Sequence, residues 1–179
     1  MANRNNLVIS VMDRDRPGIV AEVTEGISSL GGNLADLRES VLRGYFTMIL
    51  VADFPAEVTV EQVQEALATG KTSHVSVESV TGTLDETERS EQVYILSAVA
   101  KDRVGLVAQV SRFCYDRSVN ILDLASHVDG DQYTMMLQLE FSDTRSVKKF
   151  RSELSRFGEK SGLNLVLQHN DIFRATNEI

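Results

Sequence analysis

The sequence contains one cysteine, no tryptophan and only two prolines in 179 residues. Because Cys114 is the single cysteine, no intramolecular disulfide can form, which excludes a disulfide-stabilised secreted scaffold. No apolar run approaches the roughly 18 to 20 residues that cross a bilayer. Residues 1–6 are polar and lack the apolar segment of a signal peptide. These absences together predict a cytoplasmic protein with no membrane partner.

Positive charge is also scarce, since 18 Lys and Arg stand against 26 Asp and Glu, giving a formal net charge of −8. Binders of nucleic-acid backbones usually show a basic face, so we expect no direct nucleic-acid contact. The three histidines are scattered away from Cys and acidic clusters. No P-loop, dinucleotide glycine fingerprint or nucleophile elbow is found. We therefore expect no metal, no cofactor and no catalytic residue.

The chain repeats itself. Shifted by 87 positions, Val8–Phe54 aligns without a gap on Ile95–Phe141, with 15 identical residues in 47 positions. Chance does not produce such a match, so the sequence is a duplicated module. The identities that matter for chemistry are Asp15/Asp102, Arg16/Arg103, Gly18/Gly105 and Asn33/Asn120.

Each copy follows the order β-α-β-β-α-β. Apolar, β-branched runs predict a first strand, and apolar residues at helical spacing after Pro17-Gly18 or Val104-Gly105 predict a helix. Proline fits just inside a helix start, where its missing N–H costs nothing. Arg43-Gly44 and Asp129-Gly130 are predicted to join the next two strands. The predicted elements are Leu7–Asp13, Asn33–Leu42, Tyr45–Phe54, Val60–Thr69 (helix) and His74–Val80 in copy one, and Val93–Ala100, Asn120–Val128, Gln132–Phe141, Ser146–Lys160 (helix) and Leu163–His169 in copy two.

This order predicts an α+β protein made of two ferredoxin-like βαββαβ domains in tandem, each with an antiparallel sheet and helices on one face. We expect domain 1 at 1–82, a polar and charged linker at 83–91, domain 2 at 92–170 and a C-terminal tail at 171–179.

The turn between the first strand and first helix of each copy carries the candidate chemistry. Gly18 and Gly105 lack a Cβ, which lets the backbone approach a ligand closely. Free N–H groups and the positive dipole end at the helix start favour a carboxylate. An α-amino group needs an acceptor, which Asp13, Asp15 or Asp102 could supply. Asn33 and Asn120 offer both a donor and an acceptor, which suits a zwitterion.

At the strings DRDRPGIVAEV (Asp13 to Val23) and AKDRVGLVAQV (Ala100 to Val110), each followed by an Asn, the chain resembles the ACT family of amino-acid-binding regulatory domains. The whole arrangement, two such modules and nothing more, is similar to that of the glycine-cleavage transcriptional repressors. The first module also resembles the amino-terminal domain of formyltetrahydrofolate deformylases. The resemblance implies a non-catalytic sensor of a small amino acid, with glycine or serine favoured.

The resemblance also implies where the ligand binds: between the turn of one module and the second-strand Asn of a paired module. Carried onto this chain, the turn of copy one would face Asn120 and that of copy two would face Asn33. The expected ligand-binding residues are Asp13, Asp15, Arg16, Pro17, Gly18, Ile19, Asn33, Asp102, Arg103, Gly105, Leu106 and Asn120. The implied partners are an amino-acid ligand, a protein (a DNA-binding regulator or a metabolic enzyme) and a second copy in a homodimer.

The two copies differ at this site, because Asp13 is matched by Ala100 and Pro17 by Val104. We therefore predict that the Asp13–Gly18 turn is the better site. Plainer interpretations stay open: the aspartates as helix caps, and the asparagines as turn residues in left-handed geometry. Two other functions also stay open, a detached regulatory subunit of an amino-acid biosynthetic enzyme and, more remotely, an RNA-binding module with Phe46 and Tyr133 as stacking residues.

Overall fold

In the computed structural model, which describes residues 4–68, 74–80 and 92–177, the chain forms two units, Met1–Asp85 and Glu86–Ile179. Each unit has its own sheet and its own hydrophobic core. The predicted linker at 83–91 lies outside the described residues.

Unit 1 is a four-stranded antiparallel sheet with two helices, and its strands lie side by side in the order β2-β3-β1-β4. Its elements are β1 (Arg4–Arg14), α1 (Ile19–Ser29), β2 (Asn33–Leu42), β3 (Tyr45–Pro55), α2 (Val60–Ala68) and β4 (His74–Ser79).

Unit 2 repeats this arrangement, with its strands in the order β6-β7-β5-β8. Its elements are β5 (Val93–Lys101), α3 (Leu106–Tyr115), β6 (Asn120–Asp129), β7 (Gln132–Glu140), α4 (Thr144–Ser161), β8 (Asn164–His169) and α5 (Asn170–Asn177). The predicted fold class, two tandem ferredoxin-like βαββαβ domains, is confirmed.

The core of unit 1 forms where α1 and α2 cover one face of the sheet. Side chains alternate along β1, so Leu7, Ile9 and Val11 are buried while their neighbours point away. Ile19, Val23 and Ile27 of α1 meet this face because residues three and four apart share one side of a helix. Burial of this apolar stripe is what fixes α1 on the sheet.

The first helix of each unit starts at a glycine in the left-handed region. Gly18 has φ 98° and Gly105 has φ 89°, and both occupy the N-cap position. Pro17 therefore precedes the helix, and the prediction that it lies just inside the helix start is wrong. The chain reverses at Gly18 before helical hydrogen bonding begins, because only glycine takes this φ without strain.

The two hairpins turn by different means. Leu42 pairs with Tyr45 across Arg43 and Gly44, which both have positive φ. In unit 2, Asp129 pairs with Gln132, so the turn residues are Gly130 and Asp131 rather than the predicted Asp129-Gly130. Asp129 still lies in β6 because Gly130, with φ 60°, supplies the reversal one residue later.

Both edge strands next to the hairpins carry a β-bulge at equivalent places, between Leu34 and Asp36 in β2 and between Ile121 and Asp123 in β6. Each bulge is braced locally, since the aspartate side chain accepts a hydrogen bond from the N–H of the following leucine. Because this feature recurs in both copies, it belongs to the duplicated design and not to chance irregularity.

The second half of each unit has diverged. The helix α4 has 18 residues where α2 has 9, and α5 lies against β5 and β8. The predicted C-terminal tail at 171–179 thus falls largely within a helix. Within the described residues, no helix combines the length and the apolar character needed to cross a bilayer.

Candidate functional site

The two β–α turns leave their helix N-termini open. Glycines occupy the N-cap positions of α1 and α3, three residues after Asp15 and Asp102, so neither aspartate is the N-cap residue. The alternative interpretation of Asp15 and Asp102 as capping residues is therefore wrong. Amide groups in the first turn of each helix stay available to an anion, and the helix dipole adds to their attraction.

Each turn is tied to the hairpin of its own unit. The Asp15 N–H donates to the Gly44 carbonyl at 3.0 Å, and the Asp102 N–H donates to the Asp131 carbonyl at 2.7 Å. Both aspartate side chains are exposed. These backbone bonds fix the turns beside the hairpin end of the sheet and leave their carboxylates in solvent.

An arginine folds over the first helical turn in each unit, with a different partner. Arg16 donates to both carboxylate oxygens of Glu22 at 2.7 Å, whereas Arg103 donates to the neutral Gln109 at 3.0 Å and to the Ser161 carbonyl at 2.8 Å. The hydrogen bond with Glu22 raises the pKa of Arg16; desolvation opposes this, and the charges of Glu22 and Asp13 add to it. The two turns consequently differ in charge.

Asp13 occupies the end of β1 and is the one buried charged residue among the described residues, at 8% exposure. Its Oδ1 accepts the Arg14 N–H at 2.7 Å. The matching position in unit 2 is Ala100, which has no charge. The end of β1 in unit 1 therefore carries a buried carboxylate, Asp13, two residues before an exposed one, Asp15.

The remaining turn residues divide between core and surface. Ile19 and Leu106 are buried at 1% and 2% exposure and anchor their helices in the two cores, so only their backbone can meet a ligand. Pro17 is exposed, and the equivalent Val104 is almost fully exposed at 99%. A Cβ on Gly105 would have no heavy atom within 4 Å beyond its chain neighbours, so the space above that turn is open.

The two asparagines lie at the far end of their own sheets. Asn33 aligns across β3 with Asp53, which aligns with Asn6 of β1. Asp13 lies seven residues further along β1, roughly 23 Å away at strand spacing. Asn120 stands at the matching end of β6 and donates to the Glu140 carboxylate at 3.4 Å. The predicted grouping of each turn with the Asn of the other module stays a prediction.

The structure rejects the turn interpretation of the asparagines and disfavours the RNA-binding alternative. Neither Asn33 nor Asn120 has positive φ, and each is the first residue of a strand, so the turn interpretation of the asparagines is wrong. Phe46 is 3% exposed and packs in the core of unit 1, where it cannot stack on an RNA base. The acidic composition and this burial both disfavour the RNA-binding alternative.

Sequence reasoning missed the partners of the two arginines. Glu22 and Gln109 were aligned in the repeat, each six residues after its arginine. Their pairing depends on the left-handed glycine that turns the chain back over the helix, so spacing alone did not reveal it. The glycine itself was the available signal.

Comparison with known proteins places both units in one family. Residues 5–78 and residues 94–158 each match the ACT domain. A UPF0237 protein of Methanopyrus kandleri is 31% identical over 86 residues, which are 48% of this chain and 96% of that protein. Its length corresponds to about half of this chain.

Two solved structures share the tandem fold. An unknown protein from Galdieria sulphuraria superposes with a TM-score of 0.76 at 22% identity, covering 93% of this chain and 98% of that one. A proposed glycine cleavage system transcriptional repressor superposes with a TM-score of 0.72 at 17% identity, covering 92% and 96%. At these identities the likeness establishes the fold.

Proposed function

This chain belongs to the ACT-domain family over both of its units, and from that membership we propose that it is a non-catalytic regulatory protein that binds a small amino acid, glycine or serine. The ligand-binding positions we propose are those of the two β–α turns together with Asn33 and Asn120. A ligand of this kind needs a carboxylate site and an ammonium site a few ångströms apart.

One observation carries the proposal: an open helix N-terminus behind a left-handed glycine, present twice. The first-turn amides supply donors for a carboxylate. Asp13 and Asp15, or Asp102, lie on the adjoining backbone and supply acceptors for the ammonium group. A small ligand suits such a turn because the missing Cβ lets it reach the amides.

We propose that the bound amino acid acts by bridging a turn of one module and the asparagine of a paired module. Binding can bias a partner only through unequal affinity for two arrangements of the modules. The partner we favour is a DNA-binding regulator of amino-acid and one-carbon metabolism, in line with the fold shared with a proposed transcriptional repressor. We expect the working form to be a cytoplasmic homodimer.

A thermal-shift screen of the full chain against the twenty amino acids tests ligand binding. Glycine or serine at about 100 times its dissociation constant should stabilise the fold by about 2.7 kcal/mol, and larger amino acids should not. The double variant Asp15→Ala/Asp102→Ala should unfold at the wild-type temperature without ligand and lose the shift. No stabilisation by any amino acid would remove the sensor proposal.

Two further measurements test the assembly and the partner. Light scattering should give the mass of two chains, and a single-chain mass with and without glycine contradicts the homodimer. Affinity purification from the source cells should recover a DNA-binding protein in a glycine-dependent manner. Recovery of a biosynthetic enzyme instead would assign the chain as a detached regulatory subunit.

A further inference from the structure

Unit 2 has a surface groove that we call the α3–α4 groove, and no residue of the β–α turn lines it. It encloses about 380 Å³ and is lined by Phe113, Arg117, Glu153, Arg156, Phe157 and Lys160. Ligand sites for small molecules span roughly 300 to 1,000 Å³, so the groove is large enough for one.

One wall of the groove is a fixed arginine. The Arg117 guanidinium donates from Nε to Glu153 Oε2 at 2.6 Å and from Nη1 to the Phe113 carbonyl at 2.9 Å. It also lies 3.6 Å from the centre of the Phe113 ring. A stacked, doubly anchored guanidinium loses little freedom on binding a further oxygen. The negative charge of Glu153 is already matched by this partner.

The opposite wall carries two cations whose charge is not balanced by an ion pair of this kind in the part of the chain that the structure describes. Arg156 and Lys160 are exposed and one helical turn apart on α4, so their side chains neighbour each other. Among the described residues, neither side chain forms an ion pair. The helix as a whole carries six Lys and Arg against two Glu in a chain of net charge −8. The groove is therefore a positive site on an acidic protein.

Unit 1 offers an internal comparison. The residues that match Phe113 and Arg117 in the repeat are Gly26 and Leu30. A Cβ on Gly26 would lie 2.7 Å from Leu67 Cδ2, so α1 and α2 meet closely at this point. In unit 2, Phe113 fills this seam as a buried core residue, while Arg156 and Lys160 lie exposed beside it, so the two cations are not required for packing of the helices.

We propose that the α3–α4 groove binds the phosphate group of a small phosphorylated molecule. A phosphate monoester has a charge of about −1.5 to −2 at pH 7 and three acceptor oxygens. The Arg156 guanidinium and the Lys160 ammonium supply donors from α4. Arg117, which follows α3 and whose charge is balanced by Glu153, bounds the site on the other side. This site is independent of the amino-acid site proposed above.

The test uses the full chain, ¹⁵N-labelled, titrated with inorganic phosphate and then pyrophosphate and followed by NMR. Amide signals of Arg117, Arg156 and Phe157 should move, while those of the β–α turn of unit 1 should not. The variant Arg156→Gln/Lys160→Gln should weaken binding about tenfold or more, since two charge-assisted hydrogen bonds are lost. Glycine-induced stabilisation should be unchanged in this variant.

A matched control removes the same charge elsewhere on α4. Lys148 and Lys149 are exposed and do not line the groove, so Lys148→Gln/Lys149→Gln should leave phosphate affinity within about twofold. Equal weakening by both variants would mean general attraction of anions and overturn the site. A single-stranded oligonucleotide that binds more tightly than pyrophosphate, with equal sensitivity to both variants, would assign the surface to a polyanion instead.

Discussion

Arg16 and Glu22 close a bidentate ion pair across the first turn of α1, with both N···O distances at 2.7 Å. In unit 2 the same position holds Gln109, so Arg103 keeps its full charge beside the helix N-terminus. The duplicated turn thus exists in a neutralised and a cationic form. Exchanging a carboxylate for an amide at residue 22, or the reverse at residue 109, therefore tests how the arginine charge affects binding of the ligand.

Exchanging these residues should change ligand affinity in opposite directions. Glu22→Gln leaves Arg16 unneutralised and should tighten glycine binding at the first turn about threefold. Gln109→Glu should weaken binding at the second turn by a similar factor. Calorimetric titration of each variant measures both, and two changes of the same sign would show that the arginines do not face the ligand carboxylate.

The aspartates after the first strands should contribute unequally. Unit 1 retains Asp13 beside Asp15, whereas Asp102 has only Ala100 at the matching position. We expect the turn of unit 1 to be the tighter site, with Asp15→Ala reducing its affinity for glycine about tenfold and Asp102→Ala reducing overall binding much less. Titration calorimetry on the two single variants decides this, and an equal loss from both rejects the asymmetry.

Replacing Gly105 or Gly32 by alanine should lower the free energy of unfolding by different amounts. Gly105 has φ 89°, and a Cβ on it would meet no atom within 4 Å, so Gly105→Ala should lower the free energy of unfolding by about 1 kcal/mol through backbone strain alone. A Cβ on Gly32 would lie 2.7 Å from Ile27 Cγ2 and closer still to the Phe54 ring. Gly32→Ala should therefore cost roughly 2 to 3 kcal/mol.

Urea unfolding measures both glycine variants. Ser28→Ala, on the exposed side of α1, is the control and should change stability by less than about 0.5 kcal/mol. If Gly32→Ala lowered the free energy of unfolding no more than Gly105→Ala does, this would contradict the close packing of α1 on β3.

Cys114 should make stability fall at high pH. Burial raises the pKa of its thiol from the ordinary 9.0 to about 11, with the charge of Arg117 opposing the shift. Between these values the unfolded chain loses the proton and the folded chain keeps it, so unfolding is favoured. At pH 10 the thiol should contribute a loss of about 1.4 kcal/mol relative to pH 8.

The contribution of the thiol is isolated by comparing the wild type with Cys114→Ala. The difference in unfolding free energy between them should shrink by that amount from pH 8 to pH 10. A constant difference would contradict the raised pKa. The wild-type thiol should also resist a thiol reagent at pH 8 until the chain unfolds.

Periodicity and the repeat predicted most strands and helices to within one or two residues, because buried alternation in β1 and β3 and the apolar stripe of α1 are written directly in the sequence. Turn chemistry was less accurate at Pro17 and at Asp129-Gly130, where one glycine with positive φ decides which residue begins the next element. Local residue preferences indicate that the chain reverses in this region, and tertiary packing decides at which residue it does so.

The sequence predicts which residues make up the candidate site, but it does not predict which partners they contact. Gly18 and Gly105 were identified from their position between strand and helix, yet the bonds of Arg16 and Arg103 depend on how the chain folds back over that glycine. The α3–α4 groove had no signature at all, because it depends on Phe113 replacing Gly26 in the repeat and so on the spacing between two helices that are distant in sequence.

The paired bulges of β2 and β6 limit how these edge strands can grow into larger assemblies. A strand from another molecule that adds to β2 meets a regular ladder only from Asp36 to Leu42. Beyond Asp36 the bulge bends and twists the edge, so successive molecules cannot stack in register. Leu42 and Val41 are exposed at that edge, so the bulge restricts any added strand to this short regular segment.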